Sequence, residues 1–218
     1  DFSIAGKNRG KDGENGILSD TYSKLICKIH PDFFLFENVK GLYRTKKHRE
    51  FFEDLKLRFI KAGFHLTENL INAIEFGAPQ DRERIILIGF HNRIIKEHKM
   101  KSVNGIIQDF DWNKNKLYNK SDVFQKEWPK TCDFQEDNTI PCPDNIIKEL
   151  TVEYWFEKND VKNHINKDRY FTPRDGLQKF KEISEGDDKK KSYKRLHRWR
   201  FSPTAAYGNN EVHLHPYK

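Results

Sequence analysis

Phe33-Phe34-Leu35-Phe36, closed at once by Glu37-Asn38-Val39, is a short continuous apolar run ending on a carboxylate. Such a run reads as a strand buried on both faces in a parallel sheet. Ahead of it, Tyr22, Leu25, Ile26 and Ile29 recur at the spacing of one helical face, with Ser19 or Asp20 as N-cap and an end before Pro31. Residues 1–16 carry Gly6, Gly10, Gly13 and Gly16 and read as a mobile loop. After the run, Phe52, Leu55, Phe59 and Ala62 form a second helical stripe stopped by Gly63, and His65 to Ala73 alternates as a strand. Phe76 to Arg82 is a Gly/Pro turn, and Ile85 to Phe90 is another buried strand. Strand, helix, strand, loop, strand is part of a doubly wound α/β sheet.

Beyond about His91 the periodicity weakens. Lys, Asn and Asp accumulate, and Pro129, Pro141, Pro143 and Pro173 punctuate the chain. Residues 94–218 therefore read as a second, irregular α+β domain after an α/β domain over 1–93. No stretch of 18 apolar residues exists to form a transmembrane helix. The three cysteines, Cys27, Cys132 and Cys142, lack CxxC spacing, which leaves neither a disulfide framework nor a metal site and fits a reducing cytoplasm. The 218 residues begin at Asp1 without a signal peptide and close on His215-Pro216-Tyr217-Lys218 inside what reads as a structured segment, so the sequence looks like a piece of something longer.

Forty Lys+Arg against 33 Asp+Glu give a net charge of +7, which suggests an anionic partner or simply a solvated basic face. Between Lys189 and Arg200 there are seven basic residues and no carboxylate, with Tyr193 and Trp199 interleaved. Basic groups neutralise phosphates and aromatics stack on sugars or bases; a solvated helix is the plainer reading. Glu37 stands at the C-terminal end of a strand, where open α/β sheets bind ligands, and apolar neighbours can raise the pKa of such a carboxyl; a loop or cap residue is the alternative. In Gln80-Asp81-Arg82-Glu83-Arg84 two arginines enter a strand two apart, on one side of it. Their guanidinium forks suit carboxylate, phosphate or base-carbonyl groups, and a surface Arg/Glu ladder would look the same.

Taken in order, Phe2-Ser3-Ile4-Ala5-Gly6-Lys7, Glu37-Asn38-Val39 and Gln80-x-Arg82-x-Arg84 resemble the cytosine-C5 DNA methyltransferases, in particular the bacterial modification enzymes of restriction–modification systems. The resemblance covers residues 1 to about 92. It resumes at Ser202-Pro203-Thr204-Ala205 and Leu214-His215-Pro216, which look like the end of the family's target-recognition domain.

The resemblance implies a Rossmann-like S-adenosylmethionine-dependent sheet and methyl transfer to C5 of a cytosine flipped out of duplex DNA after a thiolate adds to C6. It assigns Glu37 to the cytosine edge and N3 proton, and Arg84, with Arg82 and Gln80 in support, to the base carbonyl and a phosphate. Ser3, Lys7 and Arg9 would lie on a loop closing over DNA, and Thr204 would position the flipped nucleotide. Leu18 would pack beside the cofactor, and Arg198 and Arg200 would contact phosphates. The family's Pro-Cys-Gln nucleophile motif would end just before Asp1, and the cofactor loop would also lie upstream. The implied partners are therefore double-stranded DNA, the missing N-terminal portion or subunit, and a cognate restriction endonuclease, with no membrane. Pro141-Cys142 is a decoy, followed by Pro143 in the variable domain, and Cys27 reads as a packed thiol. With half of the sheet absent, Phe33 to Phe36 and Ile85 to Phe90 would lack neighbours, and poor solubility or a required partner is expected. A non-catalytic DNA-binding module and, in third place, a tRNA-directed relative are the competing readings.

Overall fold

Phenylalanine rings share the core of the first unit with leucine and isoleucine side chains: Phe34, Phe36, Phe52, Phe59 and Phe64 are buried together with Leu42, Leu55, Leu66, Ile85 and Leu87. In a computed structural model the chain is described over residues 14–43, 45–173, 177–189, 193–205 and 212–218. The elements run α1 (Glu14–Ile29), β1 (Phe33–Val39), α2 (Lys46–Lys61), β2 (Phe64–Asn72), β3 (Glu83–His91), α3 (Asn92–Glu97), β4 (Ser102–Val103) and β5 (Ile106–Ile107). They continue with α4 (Lys120–Gln125), α5 (Val152–Lys158), α6 (Leu177–Lys181), β6 (Tyr193–Arg195) and β7 (Val212–Leu214). The chain divides into two compact units: Asp1–Ile71 with Glu83–Asn115, and Asn72–Arg82 with Lys116–Lys218. It thus crosses between units at three places, whereas the change in sequence character sits near residue 93.

The first unit is an α/β layer whose sheet has the order β1-β3-β2-β5-β4. The sheet is mixed. β1 pairs antiparallel with β3, in the register Phe34↔Gly89 and Phe36↔Leu87, and β2 pairs parallel with β5 at Leu66↔Ile106. The expectation of an all-parallel setting for β1 is thus corrected, as is burial on both of its faces. Phe34 and Phe36 are buried, whereas Phe33 is 65% and Leu35 55% exposed. An unbroken apolar run specifies neither the direction of the neighbouring strand nor cover on both faces. The Phe34 ring lies directly over Gly89, where a Cβ would come within 2.1 Å of it, so this register needs glycine.

Helix α2 starts at the Thr45 cap, whose hydroxyl accepts from the His48 amide, and buries Phe52, Leu55 and Phe59 against Phe34 and Phe64. The ring pairs Phe34–Phe59 and Phe34–Phe64 stand 4.3 and 5.1 Å apart. Each side chain so buried contributes about 1.5–3 kcal/mol. Helix α1 begins at Glu14, five residues before Ser19, and its inward face also differs from the apolar stripe. Tyr22, Ile26 and Cys27 pack on the core, while Leu25 (50%) and Ile29 (61%) are exposed. Ser23 takes an inward position because its hydroxyl bonds the Asp20 carbonyl and receives the Arg58 guanidinium. Burial raises the Cys27 thiol pKa against the lowering effect of Arg58, as befits a packed, unreactive thiol.

Among its described residues the second unit has two small apolar clusters, one around Ile74, Val123 and Leu150 and one around Phe180, Ile183 and Leu214, and a short parallel pair β6–β7. Polar groups hold much of the rest. No described helix is long and apolar enough to cross a membrane.

Candidate active site

Antiparallel pairing of β1 with β3 sets Glu37 opposite Ile86, so Arg84, two residues along, is its diagonal neighbour on the same face. The two side chains meet: Arg84 Nε lies 2.7 Å from Glu37 Oε1, and Arg84 Nη1 donates to the Glu83 carbonyl at 2.8 Å. The Arg84 side chain is 14% exposed and the Glu37 side chain 45%, so the carboxylate faces outward from a fixed guanidinium. Lys40, in the 3-10 turn that follows β1, pairs with Glu83. Glu37 and Arg84, 47 positions apart in the chain, are therefore brought together at one end of the β1–β3 pair.

The first half of the Gln80–Arg84 motif belongs to the second unit, where it lies along residues 202–204. Gln80 and Ser202 form a parallel bridge, with the Asp81 amide donating to the Ser202 carbonyl at 2.9 Å and the Ser202 amide to the Pro79 carbonyl at 2.8 Å. Gln80 Nε2 reaches Ser202 Oγ at 3.5 Å, and the Thr204 hydroxyl donates to the Asp81 carbonyl. Gln80 and Thr204, matched to the family from opposite ends of the sequence, thus share one short strand-like contact. β3 begins at Glu83, which puts Arg84 inside the strand and Arg82 just before it. The preceding loop turns at Gly77, which has φ +83° and whose Cβ position would lie 2.9 Å from Leu117 Cδ1.

Sequence reasoning gave no role to Asn72, Ser202 or Lys40. Asn72 carried a signal: Asn72-x-x-Glu75 is a capping-box pattern, and both of its reciprocal bonds form. Burial opposes the Glu75 charge, but Lys116 at 2.8 Å and the Asn72 amide outweigh it and hold the carboxyl below its ordinary pKa. Ser3, Lys7 and Arg9 lie outside the described residues. Leu18 is on α1, 63% exposed. Among the described residues no group of three His, Cys, Asp or Glu side chains is placed to hold a metal ion.

The basic run differs from the sequence expectation. Arg198 is 3% exposed, with Nε and Nη2 on the two Glu185 oxygens at 2.9 and 2.8 Å and Nη1 on the Asn138 carbonyl at 2.9 Å. Arg195, fully buried, donates to the carbonyls of Phe180, Ile183, His215 and Lys218. Arg200 donates to the carbonyls of Pro129 and Gly186 and lines an open hollow of about 620 Å³ with Lys130 and Lys189. The guanidinium expected to reach phosphate at Arg198 is instead held inside the unit, because a carboxylate and loop carbonyls there require donors. Burial lowers the Arg195 pKa to about 10 against the raising effect of Glu185, and lowers His197 to about 4 with Arg200 and Arg198 adding to the effect.

The family model described as C-5 cytosine-specific DNA methylase matches residues 1–213. Type II methyltransferase M.NmeDI of Neisseria meningitidis serogroup C is 59% identical over 217 residues, which is 100% of this chain and 49% of that protein. Type II methyltransferase M.Sau96I of Staphylococcus aureus is 38% identical over 98 residues, 45% of this chain and 23% of its own length. M.HpaII of Haemophilus parainfluenzae is 40% identical over 91 residues, 41% of this chain and 25% of its own length. The chain therefore spans about half the length of M.NmeDI.

Proposed function

This chain belongs to the C-5 cytosine-specific DNA methylases, and from that membership we propose that it supplies part of the catalytic domain and the target-recognition domain of an enzyme methylating C5 of a cytosine in a specific duplex site, within a type II restriction–modification system. The Glu37–Arg84 pair carries the reading. It joins the two motifs that matter most at a strand edge, with the carboxylate outward and the guanidinium fixed. The Glu37 carboxyl faces the N3 edge of a flipped cytosine and holds a proton there, so negative charge does not accumulate in the ring while a thiolate adds to C6. Arg84 steadies that carboxylate and supports the base carbonyl oxygen. In this reading the thiol comes from an upstream portion that is the chain's obligate partner, and the enzyme works in the bacterial cytoplasm beside a cognate endonuclease.

Gln80 and Arg82 support Arg84 at the base carbonyl and a phosphate, Thr204 positions the backbone of the flipped nucleotide, and Ser3, Lys7 and Arg9 contact the DNA phosphates. Arg200 lines the open hollow with Lys130 and Lys189, and DNA phosphate meets the run there. The division into a catalytic part over 1–93 and a recognition part over 94–218 belongs to the same proposal. S-adenosylmethionine supplies the methyl group. Leu18 alone does not compose a cradle for it, so the donor's main contacts belong to the upstream portion.

Co-expression with the N-terminal half of M.NmeDI tests the proposal, using transfer of radiolabelled methyl from S-adenosylmethionine to unmethylated genomic DNA as the readout. The assembled pair should label cytosine, and neither part alone should. Glu37→Gln should lower kcat by about 10²–10⁴ with little change in DNA affinity, the range for loss of a general acid. A folded pair that binds DNA and transfers nothing would overturn the reading in favour of a non-catalytic DNA-binding module.

A further inference from the structure

We propose that Asn72 is a positioning residue for the Gln80–Arg82 segment, holding it in the geometry in which it meets DNA. The inference deepens the functional reading and rests on it. Asn72 ends β2 and is 1% exposed. Its carboxamide faces three ways. Oδ1 accepts from the amides of Ile74 (3.1 Å) and Arg82 (3.2 Å), and Nδ2 donates to Asp81 Oδ1 at 2.7 Å. Its own amide donates to Glu75 Oε2 at 2.9 Å, and the next amide, Ala73, donates to the Arg82 carbonyl at 3.0 Å.

Asp81 is consequently held at its amide, its carbonyl and one carboxylate oxygen. Ser202 takes its amide, Thr204 donates to its carbonyl, and Asn72 holds its carboxylate. Gln80 and Arg82 are its immediate neighbours, so their Cα positions follow from this clamp. Only a carboxamide satisfies the set, since it offers one oxygen to two amides and one N–H to a carboxylate. Aspartate would keep the acceptor but set a second carboxylate against Asp81. Leucine, nearly the same size, would take the partner from the buried Ile74 amide and from the part-buried Arg82 amide and Asp81 carboxylate.

The test uses this chain paired with the N-terminal half of M.NmeDI, comparing wild type, Asn72→Asp and the polarity swap Asn72→Asp/Asp81→Asn. The swap returns the N–H donor to the other side of the same bond. Asn72→Asp should lower kcat/KM for DNA by about tenfold or more, the scale on which small misplacements act, while S-adenosylmethionine affinity stays unchanged. The swap should restore most of the loss, which a general destabilisation would not do. In parallel, hydrogen exchange on this chain should quicken at the Ile74 and Arg82 amides in Asn72→Asp and recover in the swap. Undiminished kcat/KM in Asn72→Asp, or a folded swap variant that stays impaired, overturns the proposal. If the wild-type pair transfers no methyl group, the functional reading has failed and the exchange data alone decide whether Asn72 sets this segment. Loosening confined to residues 74–82 and reversed by the swap supports it, and unchanged or unit-wide exchange refutes it.

Discussion

Phe34, Phe52, Phe59 and Phe64 fill the middle of the first unit with rings, whereas the middle of the second holds Arg195, Glu185, Arg198 and His197, each no more than 5% exposed. Both units exclude water. They do so by different physics. Apolar contacts are non-directional and depend on volume, so the first unit should accept substitutions that conserve size. The buried charges of the second unit are tolerable only because each donor meets an acceptor, as in the two-pronged Arg198–Glu185 contact and the four carbonyls around Arg195. Its stability should depend on exact chemistry and little on volume.

The largest effect should come from cutting that network. Glu185→Gln removes one charge of a pair whose side chains are 1% and 3% exposed and leaves a guanidinium without its counter-charge. We expect it to destabilise the second unit by about 3–5 kcal/mol, the cost of breaking a buried pair. Leu55→Met, a change of similar size in the first core, should cost less than about 1.5 kcal/mol. Hydrogen exchange resolved by segment and followed in denaturant measures both units in one sample. Equal losses from the two substitutions would end the contrast.

A smaller effect should follow pH. Burial, aided by Arg200 and Arg198 and opposed by Glu185, sets His197 near pKa 4, and burial with Lys218, Arg195 and Arg198 does the same for His215. The neutral His197 ring accepts the Trp199 amide at its Nδ1, a bond that a proton there would remove. In the unfolded chain both rings titrate near the ordinary value of about 6.5. The unfolded state thus takes up protons first, and the second unit should lose stability as pH falls from about 6.5 to about 4. Glu153, raised mainly by burial, works in the opposite direction over part of that window, but it is one group against two. In the first unit His91 has a lowered pKa, through burial first and then Arg93. Exchange protection should therefore decline more steeply with acid in the second unit, and parallel declines would count against the assignment.

The same contrast explains what the sequence could tell. The helical stripe of Phe52, Leu55 and Phe59 and the strands on either side were readable because burial with a period leaves a periodic trace. The Glu37–Arg84 meeting was legible as two motifs, though not as an ion pair, since the antiparallel register that makes them diagonal neighbours does not follow from an apolar run. The side chains of Arg195 and Arg198 were illegible. A buried arginine is spelled like an exposed one, and its partners, Glu185, Asn138 and four backbone carbonyls, lie at separations that leave no pattern. Asn72 falls between these cases: the cap to Glu75 is local and patterned, while its bonds to Asp81 and Arg82 depend on how the intervening loop closes.

The smallest effect tests whether charge or burial sets the cost. Lys46 and Glu50 lie one turn apart on α2 at 3.9 Å, with side chains 93% and 63% exposed. Lys46→Ala should change the stability of the first unit by no more than about 0.5 kcal/mol, since solvent screens both charges and the side chains lose entropy in meeting. Lys56 on the same helix is a different case. Its side chain is 14% exposed, it lies 2.9 and 3.1 Å from Glu53 and Glu68, and its ammonium stands 5.1 Å from the centre of the Phe52 ring. Lys56→Ala removes the stem's packing together with the charge and should cost more than Lys46→Ala in the same denaturation series. If the two losses are equal, burial does not govern how charges act in the first unit. The difference between the two units would then have to be traced to the number of charges in each and not to their surroundings.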